Sequence, residues 1–256
     1  MIHPSAQIDS TAKIDQDVSI GPYTVVGPNV VIKAGTKIEG NAFIHKNTNI
    51  GKNNHIFPFA SIGGDPQDLK YNGEETFLEI GDNNEIREGS TINRGTVQEN
   101  SRTIIGNNNL LMAYTHVAHD CTLEDDIVMT NNAGVAGVVK VSKGARLSGF
   151  TLVHQFCNIG SYSFSALGTI VTKDVPAYVR VSGNPAIPRG LNTVGIQRQG
   201  LSKEASEALK ESYKILYLRK NKFDEAKKEI ISKFKDIKEM KLFIKSISYS
   251  DRSIVR

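Results

Sequence analysis

An aliphatic residue recurs every six positions from the start of this chain: Ile2, Ile8, Ile14, Ile20, Val26, Ile32, Ile38, Ile44, Ile50, Ile56 and Ile62. Few folds accept so short a period. A six-residue unit holds one short strand and one turn, so its aliphatic side chain must point inward while Gly, Asn or Asp takes the corner. The position two residues before each aliphatic is small or β-branched in most units, as in Ala12, Val18, Thr24 and Val30. One unit buries almost nothing alone, but stacked units pair each strand with those above and below at roughly 4.7 to 4.9 Å and merge the aliphatics into a continuous column. The pattern predicts a mostly β chain folded as a parallel β-helix, with three units per coil and an 18-residue period.

The period survives two interruptions. Ile62 is followed by Ile80, Ile86 and Ile92, and the polar, turn-rich segment between predicts an excursion loop near 64–79. A second break near 96–104 shifts the count by one residue, after which Ile105, Leu111, Val117, Leu123, Met129, Val135, Val141, Leu147, Val153, Ile159 and Val171 continue it, with Ser165 the one interruption. Gly183-Asn184-Pro185-Ala186 is a turn that closes the prism, which is expected to span 1–190. Residues 191–256 are expected to form a helical domain: Leu201, Ala205, Ala208, Leu209, Ser212, Ile215, Leu216 and Leu218 recur at helical spacing after a Ser202 cap, and further helices are predicted at 223–234 and 236–248.

Composition excludes several classes. Residues 201–256 hold 15 Lys/Arg against 9 Asp/Glu, and 1–200 hold 16 against 18, so the basic excess lies in the tail. No interleaved aromatic and arginine stripe accompanies it, which argues against nucleic acid, whereas an acidic protein partner suits it. No apolar run reaches the ~20 residues of a membrane span, and the start of the chain has no basic segment leading into an apolar one. A soluble cytoplasmic protein is expected. Cys121 and Cys157 stand two coils apart, roughly 9 to 10 Å, and are expected to be reduced core residues.

Chemistry concentrates at His116-Val117-Ala118-His119-Asp120-Cys121. With an 18-residue coil, His119 shares a vertical column with Gly137 and Gln155, beside His154. The histidine is expected on an outward strand position, with His116 one corner earlier. A histidine next to a carboxylate suits a general base, and a glycine stacked on it leaves a backbone amide free to approach an oxyanion. Two other readings use the same scaffold: a zinc carbonic anhydrase whose histidines come from neighbouring prisms, and a non-catalytic structural β-helix, which would need a regular outward threonine ladder.

Ala60-Ser61-Ile62-Gly63, Gln67-Asp68-Leu69-Lys70-Tyr71, Arg94-Gly95-Thr96-Val97-Gln98, the His116–Cys121 segment, Val153-His154-Gln155-Phe156-Cys157 and Gly183-Asn184-Pro185 together resemble the UDP-N-acetylglucosamine 3-O-acyltransferase family. The resemblance covers essentially the whole chain. It implies a left-handed β-helix, a homotrimer with sites between subunits, and transfer of a 3-hydroxyacyl group from acyl carrier protein to the sugar 3-hydroxyl of UDP-N-acetylglucosamine, the first step of lipid A synthesis. It implies no metal and no cofactor beyond the phosphopantetheine arm of the carrier protein. His119 would be the base, Asp120 its support and the Gly137 amide the oxyanion donor. Asp68 would contact the glucosamine ring and Lys70 from an adjacent subunit a phosphate. Gln67, His116, His154 and Gln155 would line the sugar and acyl paths, and Asn192 and Arg198 would grip the nucleotide. Leu167 would stand at the acyl-chain ruler, its bulk implying a shorter chain. The chain departs from the family pattern at Asn93 and Val138, commonly histidine, and at Val194 and Gln199, commonly acidic and basic.

Overall fold

The computed structural model describes residues 1–248 and 253–256. Three sheets, parallel except for one antiparallel pair at the end of the third, form the walls of a prism. The first face holds nine strands, beginning with Gln7–Ile8 and Val25–Val26 and ending with Ile170–Val171. The second holds eight, from Lys13–Ile14 to Asn158–Ile159, and the third ten, from Ser19–Ile20 to Ile187–Leu191. Partners in the first coils are 18 residues apart, as in Gln7↔Val25 and Lys13↔Val31. The chain is a left-handed parallel β-helix, the rarer hand for parallel crossovers.

The second residue of each two-residue strand points inward, and the column from Ile20 through Val171 is buried, Ser165 included. Ser165 keeps its place by hydrogen bonding Thr151 Oγ1 at 2.8 Å. Ile2 is 46% exposed, because no coil lies beneath the first to cover it. Corners cost backbone freedom: Asp120 and Val138 adopt φ of +59° and +62°. Aspartate tolerates this left-handed region, whereas β-branched valine rarely occupies it.

Both interruptions leave the prism at the edge between the first and second faces. The first runs from the end of Ser61–Gly64 to the start of Phe77–Ile80. The second lies between Thr91–Asn93 and Arg102–Ile105. Ile80 pairs with Ile105, 25 residues on where an uninterrupted coil takes 18, so the second excursion inserts seven residues into one corner. Counted modulo six, such an insertion reads as the single extra residue seen in the sequence.

The prism closes on an antiparallel pair, Val179–Ser182 with Ile187–Leu191, joined across Gly183 to Ala186. Helix α1 (Thr193–Arg198), absent from the sequence expectation, follows, then α2 (Lys203–Tyr217), α3 (Phe223–Phe234) and α4 (Lys241–Ser248). Ser202 caps α2 by accepting from Ala205 N at 3.1 Å. Leu218 departs from the expected stripe: it is the C-cap of α2 and is 64% exposed, since the helix ends before it can turn inward. The helices pack on the end of the prism, where Ser246 Oγ accepts from Ala177 N at 3.0 Å and Val255 N donates to Asp174 O at 2.9 Å. Two of the tail's charges, Asp251 and Arg252, lie outside the described residues.

Because each inward side chain contacts the column above and below it, Leu111→Ala is expected to lower stability by about 2 to 5 kcal/mol. The denaturant midpoint by circular dichroism measures this, and a midpoint unchanged from the parent would contradict the column packing.

Candidate active site

The edge between the first and second faces carries His119, Gly137 and Gln155 on successive coils. His119 lies in the corner and His116 in the strand His116–Val117, the reverse of the sequence expectation. The left-handed turn at Asp120 sets the corner, so His119 immediately precedes the bend rather than lying on the next strand.

His119 Nδ1 and Asp120 Oδ2 are 2.9 Å apart. The Asp120 carboxylate is fully buried and accepts twice more, from Thr96 N at 2.8 Å and Thr96 Oγ1 at 2.7 Å. With the carboxylate committed as acceptor, Nδ1 carries the proton and Nε2 keeps its lone pair. The hydrogen bond to Asp120 raises the His119 pKa; burial opposes it, and the charges of Asp120, Asp68 and Glu99 add to the rise. Asp68 Oδ2 lies 4.0 Å from Nε2, reached through the first excursion loop of the same chain.

Gly137 stacks on the ring. A Cβ built on it would stand 2.6 Å from His119 Cε1 and 2.7 Å from Nε2, so only glycine leaves the imidazole where it is. Its carbonyl accepts from Phe156 N at 3.1 Å, and among the described residues its amide donates no hydrogen bond. Val138 takes the next corner position and donates its N–H to His119 O at 3.0 Å.

His116 is half-buried, 2.7 Å from Thr91 Oγ1, and burial followed by the neighbouring His119 lowers its pKa. His154 and Gln155 are exposed one coil beyond Gly137, and Gln67 and Lys70 are exposed on the loop with Asp68. Thr96, Thr91 and Arg94 escaped the sequence reading. Thr96 and Arg94 stood within a family motif, but only the folded loop reveals their partners.

Asn192 and Arg198 are not on this edge. They line a cavity of about 720 Å3 on the third face, with Arg146, Arg180, Tyr162, Phe164, Val194 and Gln199. The Asn192 carboxamide is tied into the fold, accepting from Gly195 N at 3.1 Å and donating to Tyr162 O at 2.9 Å. Arg146, lowered in pKa first by burial and then by Arg198, adds positive charge where Gln199 has none. Leu167 sits at the edge between the third and first faces, 73% exposed, its Cδ1 3.1 Å from where a Cβ on Gly149 would be.

Two family models match: Udp N-acetylglucosamine O-acyltransferase, domain 2, over residues 174–255, and the bacterial transferase hexapeptide (six repeats) over 11–46. The acyl-[acyl-carrier-protein]--UDP-N-acetylglucosamine O-acyltransferase of Pseudomonas savastanoi pv. phaseolicola is 48% identical over 203 residues, 79% of each chain. The crystal structure of UDP-N-acetylglucosamine O-acyltransferase from Moraxella catarrhalis superposes with a TM-score of 0.97 at 47% identity, covering 100% of this chain and 99% of that one. The Francisella novicida UDP-N-acetylglucosamine acyltransferase follows at 0.96 and 41%, covering 100% and 94%.

Asp120→Asn removes the main cause of the raised His119 pKa, so the imidazole is expected to titrate at lower pH, as followed by ring NMR resonances. A raised pKa also means that the ion pair's stabilisation is complete below the unfolded value of about 6.5 and fades as pH rises through the folded value. Equal His119 titration in both proteins would refute the pairing.

Proposed function

The chain belongs to the UDP-N-acetylglucosamine O-acyltransferase family, and from that membership we propose that it moves a 3-hydroxyacyl group from acyl carrier protein to the glucosamine 3-hydroxyl of UDP-N-acetylglucosamine, the opening step of lipid A synthesis. The solved structures of the family cover the whole chain, both loops and helical tail included, which leaves the carbonic anhydrase and non-catalytic readings unsupported.

The observation that carries the chemistry is His119 fixed through Nδ1 by a buried carboxylate, with Nε2 lying against Gly137. In this reading Nε2 takes the proton of the sugar hydroxyl as its oxygen attacks the thioester carbonyl. The Gly137 amide receives the oxyanion of the tetrahedral intermediate. Collapse breaks the carbon–sulfur bond, and the imidazolium returns its proton to the departing pantetheine thiolate. Asp120 holds the tautomer and supports the transient positive charge. The reaction draws on no metal and no cofactor other than the donor's own arm.

In the same reading Asp68 meets the glucosamine ring, Lys70 from the adjacent subunit meets a phosphate, and Gln67, His116, His154 and Gln155 line the sugar and acyl paths. Asn192 positions the nucleotide pocket, and Arg198, with Arg146 and Arg180, draws the phosphates. The His119 edge and the Arg198 cavity belong to different sides of one prism, so a complete site needs a second copy. Tyr23, Phe59, Tyr114 and Phe150 project, 59 to 67% exposed, along the edge between the third and first faces. This apolar ladder supports a homotrimer. Among the described residues no helix is long and apolar enough to cross a membrane, in keeping with a cytoplasmic site of action on water-soluble substrates.

In an assay of purified protein with UDP-N-acetylglucosamine and hydroxyacyl carrier proteins of graded length, His119→Ala is expected to lose about 10²- to 10⁴-fold in kcat. Near-parental turnover with unchanged melting would overturn the base assignment. In the same assay Leu167→Gly is expected to shift preference toward longer acyl chains, and an identical length profile would remove Leu167 from the ruler.

A further inference from the structure

Arg94 is 1% exposed, one of the largest fully buried side chains of the prism, and no step above uses it. Its guanidinium donates to Gly63 O, where the first excursion loop departs, to Asp65 Oδ1 within that loop, and to Tyr71 Oη at 3.2 Å. Tyr71 N in turn donates to Asp68 O at 3.1 Å, and Lys70 N to Asp68 Oδ1 at 2.9 Å. Beside Arg94, Asn93 Nδ2 donates to Asp65 O at 2.9 Å, a second tether on the same loop. Two residues further on, Thr96 makes its two hydrogen bonds to Asp120. Three residues within a run of four therefore touch both halves of the site: 93 and 94 hold the loop that bears Asp68, and 96 holds the carboxylate that orients His119.

We propose that Arg94 is a positioning residue that fixes the 65–76 loop, and with it Asp68, against the His119 base, with Asn93 as its second tether. The inference rests on the acyltransferase reading for its kinetic consequences but not for its geometry. A guanidinium suits the task because its planar fork reaches several acceptors in fixed directions, which an ammonium cannot do. Burial makes it an expensive way to hold a surface loop. Removing one partner of an ion pair costs most when it strands a buried charge; here the Arg94 side chain is 1% exposed and that of Asp65 65%, so only loss of the aspartate strands one. The variants of the two partners should therefore behave differently: Asp65→Asn leaves the buried cation without its carboxylate, while Arg94→Met removes the cation and frees the loop.

The test compares Arg94→Met and Arg94→Lys with the parent full-length protein by three readouts: melting temperature, KM and kcat with UDP-N-acetylglucosamine, and the rate of trypsin cleavage after Lys70. Arg94→Met is expected to melt near the parent, to lose on the order of 10- to 100-fold in kcat/KM, mostly through a raised KM for the nucleotide sugar, and to be cut faster after Lys70. Arg94→Lys should recover part of both effects, since it restores the charge but not the fork. Parental KM and cleavage rate in Arg94→Met would overturn the proposal. So would activity and melting temperature falling together with loop cleavage unchanged, the mark of a residue that serves only the prism. Absence of acyl transfer in the parent would defeat the functional reading instead, and the cleavage comparison would still decide whether Arg94 holds the loop.

Discussion

Backbone hydrogen bonds between successive coils set the geometry of everything else in this protein. Val25 N donates to Ala42 O at 3.0 Å and Phe43 N to Ala60 O at 2.9 Å, and the same step repeats up each wall. Parallel strands two residues long would be too short to persist in an open sheet; here each is held from above and below, and its one inward side chain joins a dry column. Rigidity of that kind is what the general base proposed for His119 needs. His119 is placed by its corner, Gly137 by the next coil, and Asp120 by a loop anchored between strands of the coil before.

The repeat made much of this legible in advance. Its 18-residue arithmetic put Gly137 on His119 before any coordinates, because stacking distance depends on count alone, and Ser202 was readable as a cap from its side chain and the periodicity that follows. What escaped depends on turns and loops. His116 and His119 exchanged strand and corner because a left-handed residue, here Asp120, decides where the bend falls, and aspartate takes either position. Thr96 meets Asp120 from 24 residues away through an inserted segment whose path no period describes. Helix α1, six residues long with an Asn192 cap, is too short to show a helical stripe.

Asn93 and Val138, the two departures from histidine, have different physical standing. Asn93 has a role in the structure, tying the loop through the Asp65 carbonyl. Val138 occupies a corner conformation that suits glycine or asparagine better, and nothing in the structure explains its choice over them.

Both inserted segments and the column of His119, Gly137 and Gln155 share a single edge of the prism, while the other two edges turn the chain with little more than a glycine, an asparagine or an aromatic. The scaffold is in effect a ruled page with one margin left free. Residues added or exchanged in that margin leave the strand pairing, and so the core, untouched, and chemistry can change there without the fold being renegotiated. Seen this way, divergence among hexapeptide proteins need not search for new architectures; rewriting one strip of a very regular solid suffices.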